Sequence, residues 1–379
     1  MKSKPISHVA VAGAGPAGAT AAYLLARRGF TVTVFDKSVF PRDKLCAGLL
    51  THKTIRILKE IFGVGLEELQ RDGIILNTCR DYRVCFGSNE KYCGSLEYPF
   101  HLVDRARYDH FWIEKANHAG VQLELGTTVV EVTSSGRLKL ADGRHVAADV
   151  IVGADGVWSA VRRSVWSSKS DEKRWRRKLA LTIEIRSSAA ISNGVAALHF
   201  GYVPWGYAWH FPQGGADVVG ICALPIADGG PPLKTSFRRY LSDLGLHTAS
   251  DGWHSHPLPY GNFLSTPAKE CALLVGDACG LADPLLGEGI FYAHRSAQLA
   301  AEAITSAAGD LRNVAPTYIR LLNTHVLREL RWVDFYRRLL FIGGRVRRFR
   351  GLTLCFRLFP RRLEALLQGE RPFSRLFLP

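Results

Sequence analysis

Apolar positions along the chain arrange themselves in a few recurring patterns. In HVAVAGAGPAGATAAYLLARRGFTVTVFDK two short β-branched runs flank a glycine-interrupted turn and an Ala/Leu-rich segment, which predicts strand, tight turn, helix from about Pro16, strand. The plan returns in ADVIVGADGVWSAVRRSV, an apolar strand to Val152 followed by Gly153, Asp155 and Gly156 and a helix start with Ser159 and Arg162. It returns again in CALLVGDACGLADPLLGEGI, with a strand to Val275, then Gly276 and Asp277, then a Pro/Gly loop into a long Ala-rich helix near 289–307. GYAWHFPQGG instead alternates with period two, which places Tyr207, Trp209 and Phe211 on one face of an antiparallel strand. SSKSDEKRWRRK, residues 167–178, is a polar connector and marks a boundary into a second domain. The C-terminal RRLLFIGGRVRRFRGLTLCFRLFPRRLEALL interleaves arginine with Leu, Phe, Ile and Val, predicting helical pieces broken at Gly343–Gly344 and Pro360.

A chain of 379 residues can bury a sizeable core in two domains or one large one, and 47% apolar with 22% charged residues describes a folded globular protein. The eight cysteines (46, 79, 85, 93, 222, 271, 279, 355) form no CxxC pair and no compact framework, so a reducing, cytoplasmic compartment is the expectation. The N-terminus has the outward look of a signal peptide, but cleavage would destroy the glycine pattern, so it reads as the first strand and helix. No uninterrupted apolar run of spanning length occurs; the stretch 273–293 is broken by Asp277, Asp283, Pro284 and Glu288. Net charge is +15, and from residue 326 onward thirteen arginines face four acids, which puts nine of those charges at the C-terminus.

Gly13, Gly15 and Gly18 form G-x-G-x-x-G between a strand and a helix: one glycine for the turn, one for approach of a pyrophosphate to the backbone, one for close helix-to-strand packing. The helix then aims its N-terminal amides at the phosphates, and Asp36, ending the second strand, sits where an acid binds ribose hydroxyls. A dinucleotide site follows, with NAD and FAD both open at this point. An extended cofactor spanning several strand ends needs acids such as Asp155 and Asp277 along its length, whereas a plain NAD domain has no use for the latter.

The second and third of these segments resemble the Asp-Gly and Gly-Asp motifs of the flavoprotein group that includes p-hydroxybenzoate hydroxylase, and VDRARYDHFW resembles its arginine-bearing helix. The resemblance runs from about residue 8 to 325. It implies an α/β protein, α+β overall: a Rossmann-type FAD-binding domain (1–75, 101–166, 269–325), an inserted antiparallel β-sheet substrate domain (76–100, 167–268) and a basic C-terminal helical region (326–379). It further implies FAD as cofactor, Asp277 on the ribityl chain, the backbone from Gly287 through Gly289 to Ile290 near the flavin, and Arg105 at a cofactor contact. Ala17, Lys37, Cys46, Ala47 and Val130 complete the cofactor-binding set the resemblance implies.

Within that group the chain is similar to the geranylgeranyl reductase branch. PRDKLCAG matches its Pro-x(4)-Cys-x-Gly segment, and GYAWHFPQGG matches its Tyr-x-Trp-x-Phe-Pro motif through Tyr207, Trp209, Phe211 and Pro212. Ala47 stands where many members have glycine, and Gln213 where many have lysine. The implied activity is saturation of carbon–carbon double bonds in a geranylgeranyl or other polyprenyl group on a phospholipid, quinone, chlorophyll precursor or diphosphate. An isolated alkene has no carbonyl to accept charge, so one of its carbons needs a proton, and Cys46 is the candidate to supply or orient it. Arg42 and Lys44 favour its thiolate instead, and a buried structural cysteine is the third reading. Tyr207, Trp209 and Phe211 line a lipid slot or form an ordinary core face.

Two rivals stand beside this reading: a monooxygenase or halogenase on the same fold, and a non-catalytic flavoprotein that binds isoprenoid lipids. Halogenases carry Trp-x-Trp-x-Ile-Pro, from which Tyr207 and Phe211 depart. The electron donor is NAD(P)H or ferredoxin, since no second glycine-rich motif occurs. The arginine-rich C-terminus is expected to contact an anionic membrane surface peripherally; no nucleic-acid motif accompanies the charge. His254 and His256, at i and i+2, share a strand face and fit no zinc spacing with Cys79, Cys85 and Cys93.

Overall fold

The structure, a computed structural model, describes residues 6–133, 135–166, 168–187, 190–225, 231–246, 252–307, 309–341 and 356–376. The expected Gly343–Gly344 break, with Arg345, Arg347, Arg348, Arg350 and Cys355, lies outside those residues.

Short β-branched runs pair into a six-stranded sheet. β1 (His8–Ala12) sits between β2 (Thr31–Asp36) and β10 (Val150–Gly153), all parallel. β6 (Gln122–Leu125) extends the sheet beyond β2, and β17 (Ala272–Leu274) extends it beyond β10 with the antiparallel β16 (Ala268–Lys269) at the edge. The central strands are buried on both faces, as parallel sheets require. Their cover comes from α1 (Pro16–Ala26), α4 (Arg105–His118), α5 (Ala160–Trp166), α8 (Ile290–Ser306) and α9 (Val314–Leu322). Asp104 caps α4, accepting from the Ala106 and Arg107 amides at 2.9 and 3.1 Å, which stabilises that end by about 1 kcal/mol. His294 ties three helices together: its ring nitrogens meet Thr20 Oγ1 of α1 at 2.7 Å and the Tyr108 hydroxyl of α4 at 2.8 Å. Beside this layer lies a three-stranded sheet of β7 (Val129–Val132), β8 (Arg137–Leu140) and β9 (His145–Ala147).

The second large sheet has eight strands in the order β15 (His254–Pro259), β11 (Leu179–Ser187), β14 (Ala216–Ala223), β13 (Gly206–Gln213), β12 (Ala196–Phe200), β4 (Ile75–Phe86), β5 (Asn89–Val103) and β3 (Leu49–Leu50). Every pairing is antiparallel except β4 with β12. That parallel junction joins a long early hairpin to later strands, which is how one sheet is assembled from segments a hundred residues apart. On one face α7 (Leu233–Asp243) packs Phe237, Tyr240 and Leu241 onto Ile183, Ile185, Ala208, Val219 and Ile221. The other face carries Tyr207, Trp209, Phe211 and Cys222 with Tyr82, Leu102 and Phe200. α2 (His52–Phe62) and α3 (Leu66–Arg71) connect β3 to β4, both strands of this second sheet.

One local expectation changes. The polar connector at 167–178 is largely a helix, α6 (Lys169–Arg177): the Ser168 hydroxyl caps it by accepting from the Asp171 amide, and its one large apolar residue, Trp175, is buried beside Val157. The C-terminal helices α10 (Arg328–Phe341) and α11 (Pro360–Gln368) lie on the second sheet. Leu340, Phe341 and Leu363 pack against its aromatic face, Tyr82 donates to Glu364 at 2.8 Å, and the buried Arg337 donates to the Tyr260 carbonyl at 2.9 Å. Trp332 and Phe335, 39% and 48% exposed, point away from that contact.

Candidate active site

The first element of the site is the turn between β1 and α1. Gly13 has φ +99°, and a side chain there would sit 2.4 Å from the Ala154 carbonyl oxygen; a Cβ on Gly18 would sit 1.8 Å from the Gly13 oxygen. Both positions therefore exclude any side chain, and Ala17 beside them is buried in the first turn of α1. Asp36 locks the turn from the end of β2: its carboxylate accepts from the Ala14 amide at 2.7 Å and the Ser38 amide at 2.8 Å. Only the Arg42 guanidinium stands over Gly15, 3.6 Å from where a Cβ would lie. Pro16 opens α1 and no side chain caps its N-terminus, so its first amides face this open turn.

Two further strand ends converge here. Asp155, after β10, accepts from the Ala160 amide at 2.7 Å, while its other oxygen is buried without a partner and burial raises its carboxyl above the usual range. Asp277, after β17, lies 3.8 Å from Lys44 and beside Gly289 at the uncapped N-terminus of α8, which Ile290 begins. The loop 283–289 is held from all sides. Asp283 accepts from the Leu285 and Leu286 amides at 2.7 and 2.8 Å, and Glu288 binds Lys53 at 2.5 Å and Thr51 at 2.6 Å. The Tyr260 hydroxyl donates to the Leu285 carbonyl, and the Tyr207 hydroxyl to the Leu286 carbonyl. Gly287 thus sits directly against Tyr207 and Leu258.

Cys46 is half-buried on the segment between β2 and β3, where its sulfur accepts from the Gly48 amide at 3.4 Å. The Arg105 guanidinium lies beside that sulfur. Burial opposes the charge on Arg105, but Asp109 more than restores it through paired bonds of 2.8 and 2.9 Å, so the group stays cationic. Asp109 also holds Arg42 at 3.0 Å. Arg42 therefore serves the glycine turn, not the cysteine, and Lys44 is turned toward Asp277. Ala47 packs against the aromatic face, and Gln213 donates to the Val103 carbonyl at 2.9 Å, bracing the strand that pairs with Gly48. A polar amide suffices for that bracing, which accounts for glutamine at a position where a cation was expected from the resemblance.

Tyr207, Trp209 and Phe211 do share one face, with ring centroids 5.7 and 6.4 Å apart in succession, and Pro212 follows them, its carbonyl accepting from Asn77 at 3.1 Å. Of the implied positions, Lys37 is exposed just past Asp36, and Val130, 43% exposed, lies on β7. Sequence reasoning missed Asp109, which joins Arg105 of its own helix to Arg42 from a distant loop, and Glu184, a buried acid on β11. Its only signal was an acid inside the run LALTIEIRS, where alternation reads it as a solvent-facing position.

The residues present fit an extended dinucleotide. The side-chain-free cradle at Gly13 and Gly18, the acid at Asp36, the unpartnered Asp155 oxygen and the uncapped α8 amides beside Asp277 lie along the strand ends of one sheet. A family profile described as an FAD binding domain matches residues 7–200. The chain is 32% identical over 354 residues to the menaquinone reductase of Mycolicibacterium smegmatis, covering 84% of this chain and 81% of that one. It is 27% identical to the geranylgeranyl diphosphate reductase of Rhodobacter capsulatus, covering 84% and 79%. Among solved structures, a geranylgeranyl bacteriochlorophyll reductase-like protein from Thermoplasma acidophilum superimposes with a TM-score of 0.77 at 19% identity, over 95% of this chain and 99% of that one.

Proposed function

The chain belongs to the FAD-binding-domain family of oxidoreductases, and on that premise we propose that it saturates carbon–carbon double bonds in the polyprenyl group of a lipid. The observation that carries this reading is the wall formed by Tyr207, Trp209 and Phe211, a largely apolar surface tied at Leu286 to the loop before α8 and lined by Ala47, the neighbour of Cys46. A flexible isoprenoid has little to offer but apolar area, about 25 cal/mol per Å² when buried, and an aromatic wall is the surface that recovers it. The names of the relatives in Mycolicibacterium and Rhodobacter support the same chemistry.

FAD, when bound, supplies two-electron redox chemistry. The Gly13–Gly18 turn and α1 amides, with Arg42 above them, would hold its pyrophosphate, Asp36 would take the ribose hydroxyls, and Asp277 with the α8 N-terminus would hold the far end. Gly287, Gly289 and Ile290 present backbone there. Cys46 Sγ, beside Arg105, orients the proton that one alkene carbon must receive. The electron donor is NAD(P)H or ferredoxin.

Among the described residues no helix is long and apolar enough to cross a membrane. The exposed Trp332 and Phe335 on α10, set among arginines, support peripheral contact with an anionic bilayer, from which a lipid substrate would be drawn.

The deciding experiment is mass spectrometry of products after anaerobic incubation of the reduced holoprotein with mixed polyprenyl lipids. Gains of about two mass units per reduced bond support the reading. No gain, with oxygenated or halogenated product on admitting air and halide, sinks it in favour of a monooxygenase or halogenase. Tight lipid binding without any product identifies a carrier.

A further inference from the structure

In an antiparallel sheet, residues directly opposite one another point to the same face. Trp209 on β13 pairs with Gly220 on β14, and Gly220 pairs with Glu184 on β11, so the three form one row on the face that carries the aromatic wall. Gly220 has no side chain to stand between the other two, and a Cβ there would lie 2.2 Å from Trp209 Cζ2. The indole thus lies across β14 toward the strand of Glu184. At the two ends of this row are two polar atoms shut off from solvent and lacking any partner: Trp209 Nε1 and Glu184 Oε2.

The charged groups around Glu184 are already committed. Arg186, two residues along β11, binds Asp104 at 2.9 Å, and Arg105 on α4 is held by Asp109. The Cys46 amide approaches the carboxyl from the β2–β3 segment, and His254 pairs with Glu184 from β15 but is exposed. Burial outweighs the pull of Arg186, the Cys46 amide and Arg105 and pushes the carboxyl up to about 8, so it carries its proton at neutral pH. Two buried donors, one O–H and one N–H, then face a single apolar surface with no acceptor. A hydrocarbon chain leaves both unsatisfied, and a diphosphate needs unpaired cations that are missing from this row. A neutral carbonyl oxygen satisfies both donors.

We propose that Glu184 and Trp209 form a paired-donor subsite for a head-group carbonyl, which makes the substrate a polyprenylated quinone. This rests on the reading of the protein as a polyprenyl reductase and narrows it. Both polar atoms are shut off from bulk solvent, and the position of the head group fixes which double bond of the chain lies near Cys46.

The test uses the holoprotein with a polyprenylated naphthoquinone in detergent micelles. Infrared difference spectra at pH 7 should show a protonated carboxylic acid band that moves to lower frequency when the quinone is added and is missing in Glu184→Gln. Quinone affinity should fall roughly tenfold in Trp209→Phe and in Glu184→Ala, and stay near wild type in Glu184→Gln, whose amide still donates. Affinity in the wild type should weaken above about pH 8 and become independent of pH in Glu184→Gln. An ionised Glu184 at pH 7, a band that quinone does not move, or unchanged affinity in Trp209→Phe overturns the subsite, and none of these needs the alanine variant to fold. An altered flavin spectrum with unaltered quinone binding in Glu184→Ala also overturns it, assigning the carboxyl to the cofactor. Reduction of geranylgeranyl diphosphate with no dependence on Glu184 removes the subsite and leaves the reductase reading intact. Glu184-dependent quinone binding with no saturated product removes the reductase reading and leaves the subsite.

Discussion

The Tyr207 hydroxyl donates to the Leu286 carbonyl, so the strand bearing the aromatic wall and the loop that leads into α8 move as one unit. Tyr207→Phe leaves that buried carbonyl without its donor while keeping the ring. Stability should fall by about 1–3 kcal/mol, read as a lower denaturation midpoint in urea. Because Gly287 lies against the same ring, the flavin should also be released more readily from this variant, which fluorescence of free flavin on mild heating would register.

Gly18→Ala should yield folded protein nearly free of flavin. The added methyl meets the Gly13 oxygen at 1.8 Å, and the only relief is to open the turn on which the pyrophosphate rests. The flavin-to-protein absorbance ratio checks this directly; a ratio equal to wild type means that the cradle is not the seat.

Cys46→Ala should retain flavin, since the sulfur accepts only a long hydrogen bond from the Gly48 amide and its other neighbour, Arg105, is already held by Asp109. Saturated product should fall roughly a hundredfold, the range expected when a positioned proton is lost. Single-turnover product formation distinguishes this from slower substrate entry. Undiminished turnover returns Cys46 to a packing role.

His294 predicts acid sensitivity. Burial lowers it from 6.5 to about 3, so between those values the unfolded chain binds a proton that the folded protein refuses. Stability therefore rises with pH through this window and is lost as pH falls, by at most about 1.4 kcal/mol per pH unit for this one group. His294→Asn should be less stable at pH 7, having lost its bonds to Thr20 and Tyr108, yet show a shallower decline between pH 6 and 4 in denaturant titrations.

Trp332→Ala with Phe335→Ala should reduce sedimentation with anionic vesicles roughly tenfold or more while leaving detergent-phase turnover unchanged. Binding by the wild type should weaken with added salt, as attraction of arginines to anionic lipid requires. Equal sedimentation of variant and wild type rejects α10 as the contact.

What could be read in the chain beforehand was what the backbone dictates locally. Gly13, Gly18 and Asp36 are legible because a turn that excludes side chains admits few residues, and Tyr207, Trp209 and Phe211 because a strand has a period of two. The partners of Arg42 were not legible: Asp109 is on α4, brought near by packing, and nothing between the two positions signals it. Glu184 was hidden for the opposite reason, since in a strand with one wet face an acid at that position is ordinary. It is unusual only because both faces of this sheet are covered, which no stretch of nine residues reveals. The helical character of 167–178 was masked by its charge, although Ser168 and Asp171 carry a capping signal that the run of basic residues obscured.

The order of strands has a consequence for synthesis. β17 enters the first sheet at residues 272–274, Asp277 and α8 follow it, and Gln368 binds the Tyr98 carbonyl only from the far end of the chain. A ribosome that has delivered β1, α1 and β2 has made the glycine turn but not the acid and helix end that face it. The nascent protein must therefore wait, half-built, through most of translation before it can retain a flavin. Truncation before Ala272 should thus leave an apoprotein with an exposed sheet edge beside β10, a template for aggregation.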